Sequence, residues 1–429
     1  MNWIAATILV FLLADYLLDR LVDRLNLNAI TDEIPAPFAG VFDPARYRQA
    51  QAYLRSNTRL KQVAATVRLA ALLLFWFGGG FGGVDDWVRD MGWNPLITAV
   101  AYIGILAGLK ALVDLPFSLY ATFGIEARFG FNQSSLTTWI KDRCKGVLLV
   151  VVVGGPLVTG VVALFLYAGP TAWIWCWTLT ALFAVLVQFV APTWIMPLFN
   201  RFDPLPDGEL RSAIQAYAQS IDFSMNDIYI MDASRRSLKS NAFFTGLGRQ
   251  RRIVLFDTIV ARHTTAELVA VLAHEMGHYQ MRHILKMSAM GLAQTGLMLY
   301  LLSRFMHLPA LYEAFCVPTP SVQAALVSFA ILCRPLDAIL TVIGHGISRR
   351  YEFAADRFAA ATTGSRPLIE ALKKLSVDNL SNLKPHPLYV FFNYSHPPVL
   401  QRIAALTRHG SKCTKPPGRS DVIAEACVD

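Results

Sequence analysis

Long apolar runs constrain this chain more than any other feature of its sequence. A helix needs about 20 apolar residues to cross the hydrocarbon core of a bilayer, and seven runs approach or exceed that length. Only 16% of the residues are charged, whereas a soluble chain carries about a quarter. The sequence therefore predicts an α-helical polytopic membrane protein with about seven transmembrane helices. The seven runs lie near 3–18, 63–83, 95–119, 147–168, 171–196, 287–306 and 322–344.

The placement of basic residues predicts the orientation of these spans. The loops 19–62 and 120–146 hold seven and four Lys/Arg, whereas the connections 84–94 and 169–170 hold one and none. Cytoplasmic loops are enriched in Lys/Arg, so the N-terminus is predicted outside and the segment 197–286 in the cytoplasm. Topology thus explains the net charge of +9, and a nucleic-acid partner is not expected. The expected partner is the lipid bilayer of a bacterial inner membrane or, in a eukaryote, of the endoplasmic reticulum.

The interruption between the fifth and sixth spans is predicted to be a small α+β part. It contains two β-rich runs, DIYIMD and RRIVLFDTIV, and the glycine-rich turn of NAFFTGLG between them favours a hairpin. The following run TTAELVAVLAHEMGHYQMRHIL has helical apolar spacing, with Thr264 or Thr265 as N-cap and Glu267 near the third position. The chain then divides into 1–196 with five spans, 197–286 with this insertion, 287–345 with two spans, a C-terminal part 346–409 and a loose tail 410–429.

One motif in this helix predicts a metal site. His274-Glu275-Met276-Gly277-His278 has the pattern H-E-x-x-H. Residues i and i+4 share one face of a helix, so His274 and His278 can offer two imidazole nitrogens to one ion. Glu275 is then placed to take a proton from a water that zinc acidifies. The motif arises by chance in under about 1% of chains with this histidine content, so we expect one Zn²⁺ per chain.

A catalytic zinc site needs a third protein ligand and an open position. The metzincin pattern fails because Met281 and Ile284 stand where that class has glycine and histidine. His283 is turned away from the metal face and is predicted to be a surface histidine. The segment SRRYEFAADRFAA offers Glu352 and Asp356, four residues apart on one helix face. Glu352 can ligate the metal while Asp356 bonds the far nitrogen of a ligand histidine.

Two alternatives stay open for this segment. Its acids could pair on a solvated helix with neighbouring arginines, and His345, seven residues before Glu352, is a weaker competing ligand. The arginines are Arg349, Arg350 and Arg357.

Charged residues inside the predicted spans are costly and therefore face an interior or a cavity. Lys110 and Asp114 are four residues apart in the third span, and Arg334 and Asp337 are three apart in the seventh. Arg68 lies near the start of the second. Each pair is predicted to be a structural ion pair rather than a substrate contact.

Several further motifs, in order along the chain, resemble those of the type I CAAX prenyl proteases, which are integral-membrane gluzincin zinc metallopeptidases. The resemblance covers nearly the whole chain except the tail and implies the family's fold, in which seven helices enclose a large water-filled chamber with zinc near its cytoplasmic side. The motifs are FGFNQSSLTTWIKDRCKG, PLFNRFDPL, IYIMDASRRSLKSNAFF, the H-E-x-x-H sequence, Glu352-Phe353-Ala354-Ala355-Asp356, and Tyr394-Ser395-His396-Pro397-Pro398 with Arg402.

The resemblance also implies a role for each matched position. His274, His278 and Glu352 would hold zinc, with Asp356 behind a ligand histidine and Glu275 as the general base. His396 would donate to the developing oxyanion, and Arg402 would hold a substrate carbonyl or brace Glu352. The segment Asn241, Ala242, Phe243 and Phe244 would be an edge strand to which a peptide adds by backbone pairing.

The implied activity is removal of a C-terminal tripeptide after a prenylated cysteine, so the expected partner is a peptide or protein, possibly prenylated. One alternative is quality-control proteolysis of membrane or misfolded proteins by the same mechanism. An alternative of another class is a non-catalytic transporter or scaffold with a structural metal. Structural zinc sites use mostly Cys and His at all four positions. No cysteine lies near the motif, which favours the enzyme.

Overall fold

The computed structural model describes residues 2–223, 225, 227–245 and 252–410. The predicted tail 410–429 lies, apart from its first residue, outside the described residues. The chain is mostly helical. Its N-terminal helices are α1 (Trp3–Asn28), α2 (Pro44–Phe77), α3 (Gly80–Asp90), α4 (Pro95–Tyr120), α5 (Leu136–Leu149), α6 (Gly155–Tyr167) and α7 (Ala172–Val190).

A small sheet with its helices follows, and a second helical region completes the described chain. The middle elements are β1 (Phe202–Pro204), α8 (Glu209–Ser220), β2 (Asp227–Met231), β3 (Ala242–Thr245), β4 (Arg252–Phe256), α9 (Asp257–Val260) and α10 (Thr265–Gln280). The later helices are α11 (His283–Phe305), α12 (Pro309–Ala314), α13 (Val322–Leu332), α14 (Arg334–Thr363), α15 (Ser365–Asp378), α16 (Pro387–Asn393) and α17 (Val399–Gly410).

In the described part of the chain, five helical segments are long and apolar enough to cross a membrane, and they cover the second to sixth predicted spans. A sixth is formed if α13 and α14, which meet at a 55° bend, count as one broken span. Pro335 in the first turn of α14 explains the break, because proline has no N–H to continue the helix of α13. The five segments are Pro44–Phe77, Pro95–Glu126, Leu136–Tyr167, Gly169–Leu198 and His283–Phe305.

The first predicted span is a helix but does not belong to this apolar set. α1 has 26 residues, which is long enough to cross a bilayer. Every stretch of 18 residues within it nevertheless includes Asp15, Asp19 and Arg20. The seven-span count thus stays a prediction, and the structure supports five or six.

Charged residues in the spans do pair, although not always as the sequence predicts. Asp114 accepts from Lys110 at 2.7 Å and from Arg68 at 2.5 Å, so one carboxylate joins α2 to α4. The predicted pairing of Arg334 with Asp337 is wrong. Arg334 lies 3.5 Å from Asp15 of α1, and Asp337 accepts from Gln294 of α11 at 2.9 Å. Both contacts connect helices that are distant in the sequence.

The sheet has the strand order β1-β2-β4-β3. β3 and β4 pair antiparallel, as expected for the hairpin, while β2 and β4 pair parallel. The alternation along the strands gives the sheet two apolar faces. Ile228, Ile253 and Leu255 pack in one cluster with α10, whereas Met231 and Val254 belong to a separate cluster on the other face.

The H-E-x-x-H motif lies in a core built from elements that precede and follow the sixth span in the sequence. Ala270, Leu272, Ala273 and Met276 of α10 are fully buried. They pack with apolar residues of β4, α14, α15 and α17 in one cluster. Segments that precede and follow α11 in the sequence therefore form a single folded unit around α10.

Candidate active site

The helix that carries the motif is fixed at its start by a capping box. The Thr264 hydroxyl accepts from the Glu267 backbone N–H, and the Glu267 carboxylate accepts from the Thr264 N–H. Two of the amides left free at the start of a helix are thereby satisfied. The helix then runs without interruption to Gln280. His274 and His278 consequently lie one turn apart on the same face, with their rings nearly perpendicular and their Nε2 atoms 3.2 Å from each other.

Glu352 reaches these histidines because α14 packs very closely on α10. A Cβ atom at Gly277 would lie 3.0 Å from a ring carbon of Phe358, which is tighter than ordinary contacts. The missing side chain at Gly277 lets the two helices approach each other. Glu352 then lies 3.5 Å from His274 Nε2 through one oxygen and 3.3 Å from His278 Nε2 through the other.

These three side chains fit a tetrahedral zinc ion. Ligand atoms about 2.1 Å from one tetrahedral ion lie about 3.4 Å apart. The two Nε2 atoms are 3.2 Å apart, and each lies 3.3 to 3.5 Å from its nearer Glu352 oxygen. One ligand atom from each residue lies within 4.8 Å of the others. Glu352 Oε2 is buried and has no hydrogen-bond partner among the described residues. A buried carboxylate oxygen without a donor is costly, and a bound cation would satisfy it.

Asp356 and Arg402 contact the side chains of this cluster. Asp356 lies 3.0 Å from His274 Nδ1, as predicted for a residue that orients a ligand histidine. Arg402 donates to both oxygens of Asp356, at 2.6 and 2.8 Å, and lies 3.5 Å from Glu352. Arg402 is nearly buried, with 11% of its side chain exposed. Of its two predicted roles, this geometry favours bracing the carboxylates over contacting substrate.

The electrostatics of this cluster favour a positive charge at His274. Burial and the neighbouring Arg402 lower the pKa of His274, but Asp356 and Glu352 outweigh them and raise it to about 9. A proton and a metal ion compete for such a nitrogen. The same acids that hold a proton on His274 without metal would therefore stabilise a bound cation.

The interpretation of Glu352 and Asp356 as acids of a solvated helix is wrong. Both are buried, with 4% and 2% exposed. Arg349, one of the proposed partners, donates instead to the backbone carbonyls of Val390 and Tyr394. The competing ligand His345 lies against the carbonyl of Phe392 at 3.1 Å and does not belong to the group of potential ligands.

The prediction for His283 is also wrong. This residue is 4% exposed, not on the surface. Arg282 adopts a left-handed conformation with φ of 57° and ends α10, which turns the chain so that His283 comes back toward the motif. The His283 ring stacks on Tyr351 at 4.0 Å, and its Nδ1 lies 3.0 Å from Nδ1 of His278. His283 thus contacts the second histidine of the motif, as Asp356 contacts the first.

Glu275 and His396 lie beside the ligand cluster. Glu275 follows His274 on α10 and is half-buried. His396 is 64% exposed, and its Nε2 lies 3.2 Å from Glu352. The hydroxyl of Ser395 contacts the other ring nitrogen of His396 at 2.9 Å. If that hydroxyl donates, the exposed imidazole carries its proton on Nε2, the nitrogen that faces the ligands.

The segment 241–244 borders the sheet, as the resemblance implies. β3 begins at Ala242 and is the terminal strand, while the Asn241 carbonyl accepts from Phe256 at 3.1 Å. Asn379, which the sequence interpretation missed, fixes the start of this strand. Its side chain accepts from the N–H of Ser240 and donates to the carbonyl of Ser240, both at 3.0 Å.

Comparison with known proteins relates this arrangement to characterised families. Residues 23–201 match the family model described as "CAAX prenyl protease N-terminal, five membrane helices", and residues 204–409 match peptidase family M48. The chain is 32% identical to "CAAX prenyl protease 1 homolog" of Arabidopsis thaliana, with 95% of this chain and 98% of the relative covered. It is 36% identical to "CAAX prenyl protease 1" of Saccharomyces cerevisiae, with 73% of each covered.

A solved structure is similar over nearly the full length. The crystal structure of S. mikatae Ste24p superposes with a TM-score of 0.87 at 29% sequence identity. The alignment covers 95% of this chain and 99% of that one. The likeness therefore extends over nearly the whole chain and is not confined to the part that carries the H-E-x-x-H motif.

Proposed function

This chain belongs to peptidase family M48 and carries the N-terminal membrane domain of the CAAX prenyl proteases, and on that premise we propose that it is a zinc endopeptidase that removes the C-terminal tripeptide after a prenylated cysteine. A membrane metallopeptidase acting on a peptide or protein substrate follows from the family itself. The observation that carries the proposal is the cluster of His274, His278 and Glu352, whose potential ligand atoms lie within 4.8 Å of one another; two histidines and a carboxylate are a ligand set of catalytic zinc sites.

In the proposed site, His274, His278 and Glu352 hold one zinc ion. When bound, zinc polarises a carbonyl oxygen and acidifies water near neutral pH. Asp356 and His283 fix the ring orientation of the two histidines through their second nitrogens. Arg402 keeps the buried carboxylates in place and limits their mutual repulsion.

The chain's own residues perform the proton transfers and stabilise the transition state. Glu275 takes a proton from the attacking water and returns it to the departing amine, as a general base that becomes a general acid. His396 donates from Nε2 to the scissile carbonyl oxygen as negative charge develops there. The His396 side chain is 64% exposed, and its Nε2 lies 3.2 Å from Glu352, which places this donor beside the proposed metal position.

We place the peptide along β3 as an added strand. β3 is the terminal strand of the sheet, and edge strands bind extended peptides through backbone hydrogen bonds. The chain entering β3 is held by Asn379, so the edge is rigid at its start. Side chains of the substrate then contribute mainly through alternate pockets.

The proposed membrane arrangement has seven spans around a chamber, with the metal site on the cytoplasmic side. The orientation rests on the basic loops 19–62 and 120–146. The loose packing of the spans supports the proposal of a chamber. In the most apolar stretch of each of the five segments, at most 17% of the residues are buried inside the protein. A compact helix bundle would bury a continuous stripe on every helix.

Hydrolysis of a farnesylated peptide ending in C-a-a-X by the purified protein tests the activity and the substrate together. The wild type should cleave it, and the isosteric variant Glu275→Gln should bind zinc equally well but lose most activity. Cleavage by Glu275→Gln at a near wild-type rate would contradict the assignment of the base. An unprenylated peptide cleaved as fast as the prenylated one would overturn the substrate assignment while leaving the zinc peptidase intact.

A further inference from the structure

The structure contains a basic cavity where the membrane helices meet the sheet, on the side of the sheet opposite α10. Its volume is about 530 Å³, within the usual range for ligand sites. Six cationic side chains line it, and Asp142 is the one acidic residue among its described lining residues. The cations are Lys141, Lys145, Arg201, Arg235, Arg236 and Arg252.

Three separate elements build this cavity. Thr138, Lys141, Asp142 and Lys145 come from α5, and their spacing places them on one face of that helix. A second wall, residues 197–202, follows the span that ends at Leu198. The third wall consists of Arg235 and Arg236 after β2, with Tyr229 and Arg252 from the sheet.

The walls are held in fixed positions. Arg236 donates to both oxygens of Asp142, at 2.8 and 3.0 Å, and to Asn200 at 3.1 Å. It therefore ties the turn after β2 to α5 and to the end of the span. Lys145 donates to the carbonyl of Leu198 at 2.7 Å. The concave shape is thus part of the fold and not a chance arrangement of surface chains.

The cavity has more positive charge than its own carboxylates neutralise. Arg236 pairs with Asp142, and Arg201 pairs with Asp203 at 2.9 Å. The other four cations form no ion pair within the portion of the chain that the structure describes. Arg252 instead lies over the ring of Tyr229. Like charges enclosed in one cavity repel each other, and a bound polyanion would relieve this.

The position relative to the bilayer indicates the source of that anion. α5 begins the span Leu136–Tyr167, and the span Gly169–Leu198 ends at the cavity wall. Leu136, Ile140 and Leu198 next to it are exposed apolar residues. A ligand with phosphate groups in the cavity could therefore keep acyl chains in the adjoining bilayer. Basic pockets beside transmembrane helices bind anionic lipid headgroups in this way.

We propose that this cavity binds the phosphorylated headgroup of an anionic phospholipid and thereby holds the sheet against the membrane surface. Arg236 and Lys145 form the rigid base of the site, whereas Lys141, Arg235 and Arg252 supply charge free to contact phosphate. The cavity lies on the other side of the sheet from His274, His278 and Glu352. The proposal does not depend on the peptidase activity.

The test uses the full-length protein in phosphatidylcholine nanodiscs, with and without phosphatidylinositol 4,5-bisphosphate. Bound lipid is measured by native mass spectrometry and by titration with a fluorescent analogue. The double variant Lys141→Gln/Arg235→Gln removes two unpaired cations without disturbing the fixed walls. Each cation near an anionic headgroup contributes about fivefold in affinity, so the double variant should bind about thirtyfold more weakly.

The matched control is Arg55→Gln/Arg59→Gln, which removes the same charge from exposed positions of α2 outside the cavity. It should bind the lipid like the wild type. An equal loss in the control would attribute the effect to general surface charge and overturn the site. Soluble inositol trisphosphate and inorganic phosphate form the other arms. If either binds as tightly as the membrane lipid, the cavity is a site for free phosphates and the lipid assignment is wrong.

Discussion

At the residue scale, His274 is held between two opposing demands. Its Nε2 must be unprotonated to bind a metal, yet Asp356 on its other nitrogen and Glu352 beside it favour the protonated ring. In the metal-free protein these carboxylates raise the pKa of His274 to about 9, against burial and Arg402. The ordinary value is about 6.5, so His274 is charged at neutral pH until a metal displaces its proton.

Zinc binding at pH 7 should therefore release a proton from His274. The release should fade above about pH 9, where the metal-free ring is already neutral, and zinc affinity should rise with pH until then. Isothermal titration calorimetry in two buffers of different ionisation enthalpy counts the protons. Asp356→Asn, which removes one of the groups that raise the pKa, should move the release to lower pH. Binding at pH 7 with no proton release would contradict this account.

A second residue-scale prediction concerns His396. An oxyanion donor acts mainly in the transition state, so His396→Ala should lower kcat by about a hundredfold or more with little change in KM. Steady-state kinetics on a cleaved peptide separate the two constants. Ser395→Ala should have a smaller effect in the same direction, because the Ser395 hydroxyl only orients the imidazole. An effect of His396→Ala confined to KM would move this histidine from catalysis to binding.

At the element scale, the site depends on the close approach of α10 and α14. Gly277→Ala would place a methyl group 3.0 Å from Phe358, and overpacking of this kind costs about 1–3 kcal/mol. The variant should unfold at lower temperature and bind zinc more weakly, because Glu352 is carried by the displaced helix. Thermal unfolding and zinc titration measure both effects.

Gly346→Ala is the matched control on α14. A Cβ there would meet only the end of Arg349, at 3.9 Å. Alanine is the better helix former, so the control should keep or raise the unfolding temperature. A loss equal to that of Gly277→Ala would show that helix packing at the motif is not the cause.

β3 supports a different element-scale prediction. If a peptide adds to this edge by backbone pairing, cleavage should require an extended substrate and tolerate varied side chains near the cut. Proline at a position that must donate its N–H should block cleavage by removing that bond. A proline scan across a cleaved peptide identifies such positions. Cleavage indifferent to proline throughout would exclude strand addition.

At the scale of the whole molecule, the proposed orientation places two exposed positions on opposite sides of the membrane. Trp87 lies on α3 in the poorly basic connection, and Ser212 lies on α8 beside the sheet. Single cysteines at these positions, in a background without other reactive cysteines, should label with an impermeant maleimide from opposite faces of the membrane. Labelling of both from one face would overturn the orientation and the placement of zinc on the cytoplasmic side.

Features that depend only on residues within a few turns of one helix could be predicted from the sequence. The apolar runs of α2, α4, α7 and α11 predict spans because the favourable free energies of transferring their residues from water into lipid add up along each helix. Thr264 and Glu267 predict the start of α10 because a capping box is contained in four residues. His274 and His278 share a face because the helix repeats every 3.6 residues.

The groups that come to the site from distant parts of the sequence could be identified only from the packing of the folded chain. The sequence leaves Glu352 and His345 as competing candidates for the third ligand, and the packing of α14 at Gly277 brings Glu352 to both histidines. His283 was predicted on the surface, because helical spacing does not foresee that Arg282 breaks the helix and returns the chain. Asn379 reaches Ser240 across 139 residues. Such contacts depend on how many side chains from distant segments pack together, and the residue pattern of one segment does not predict that packing.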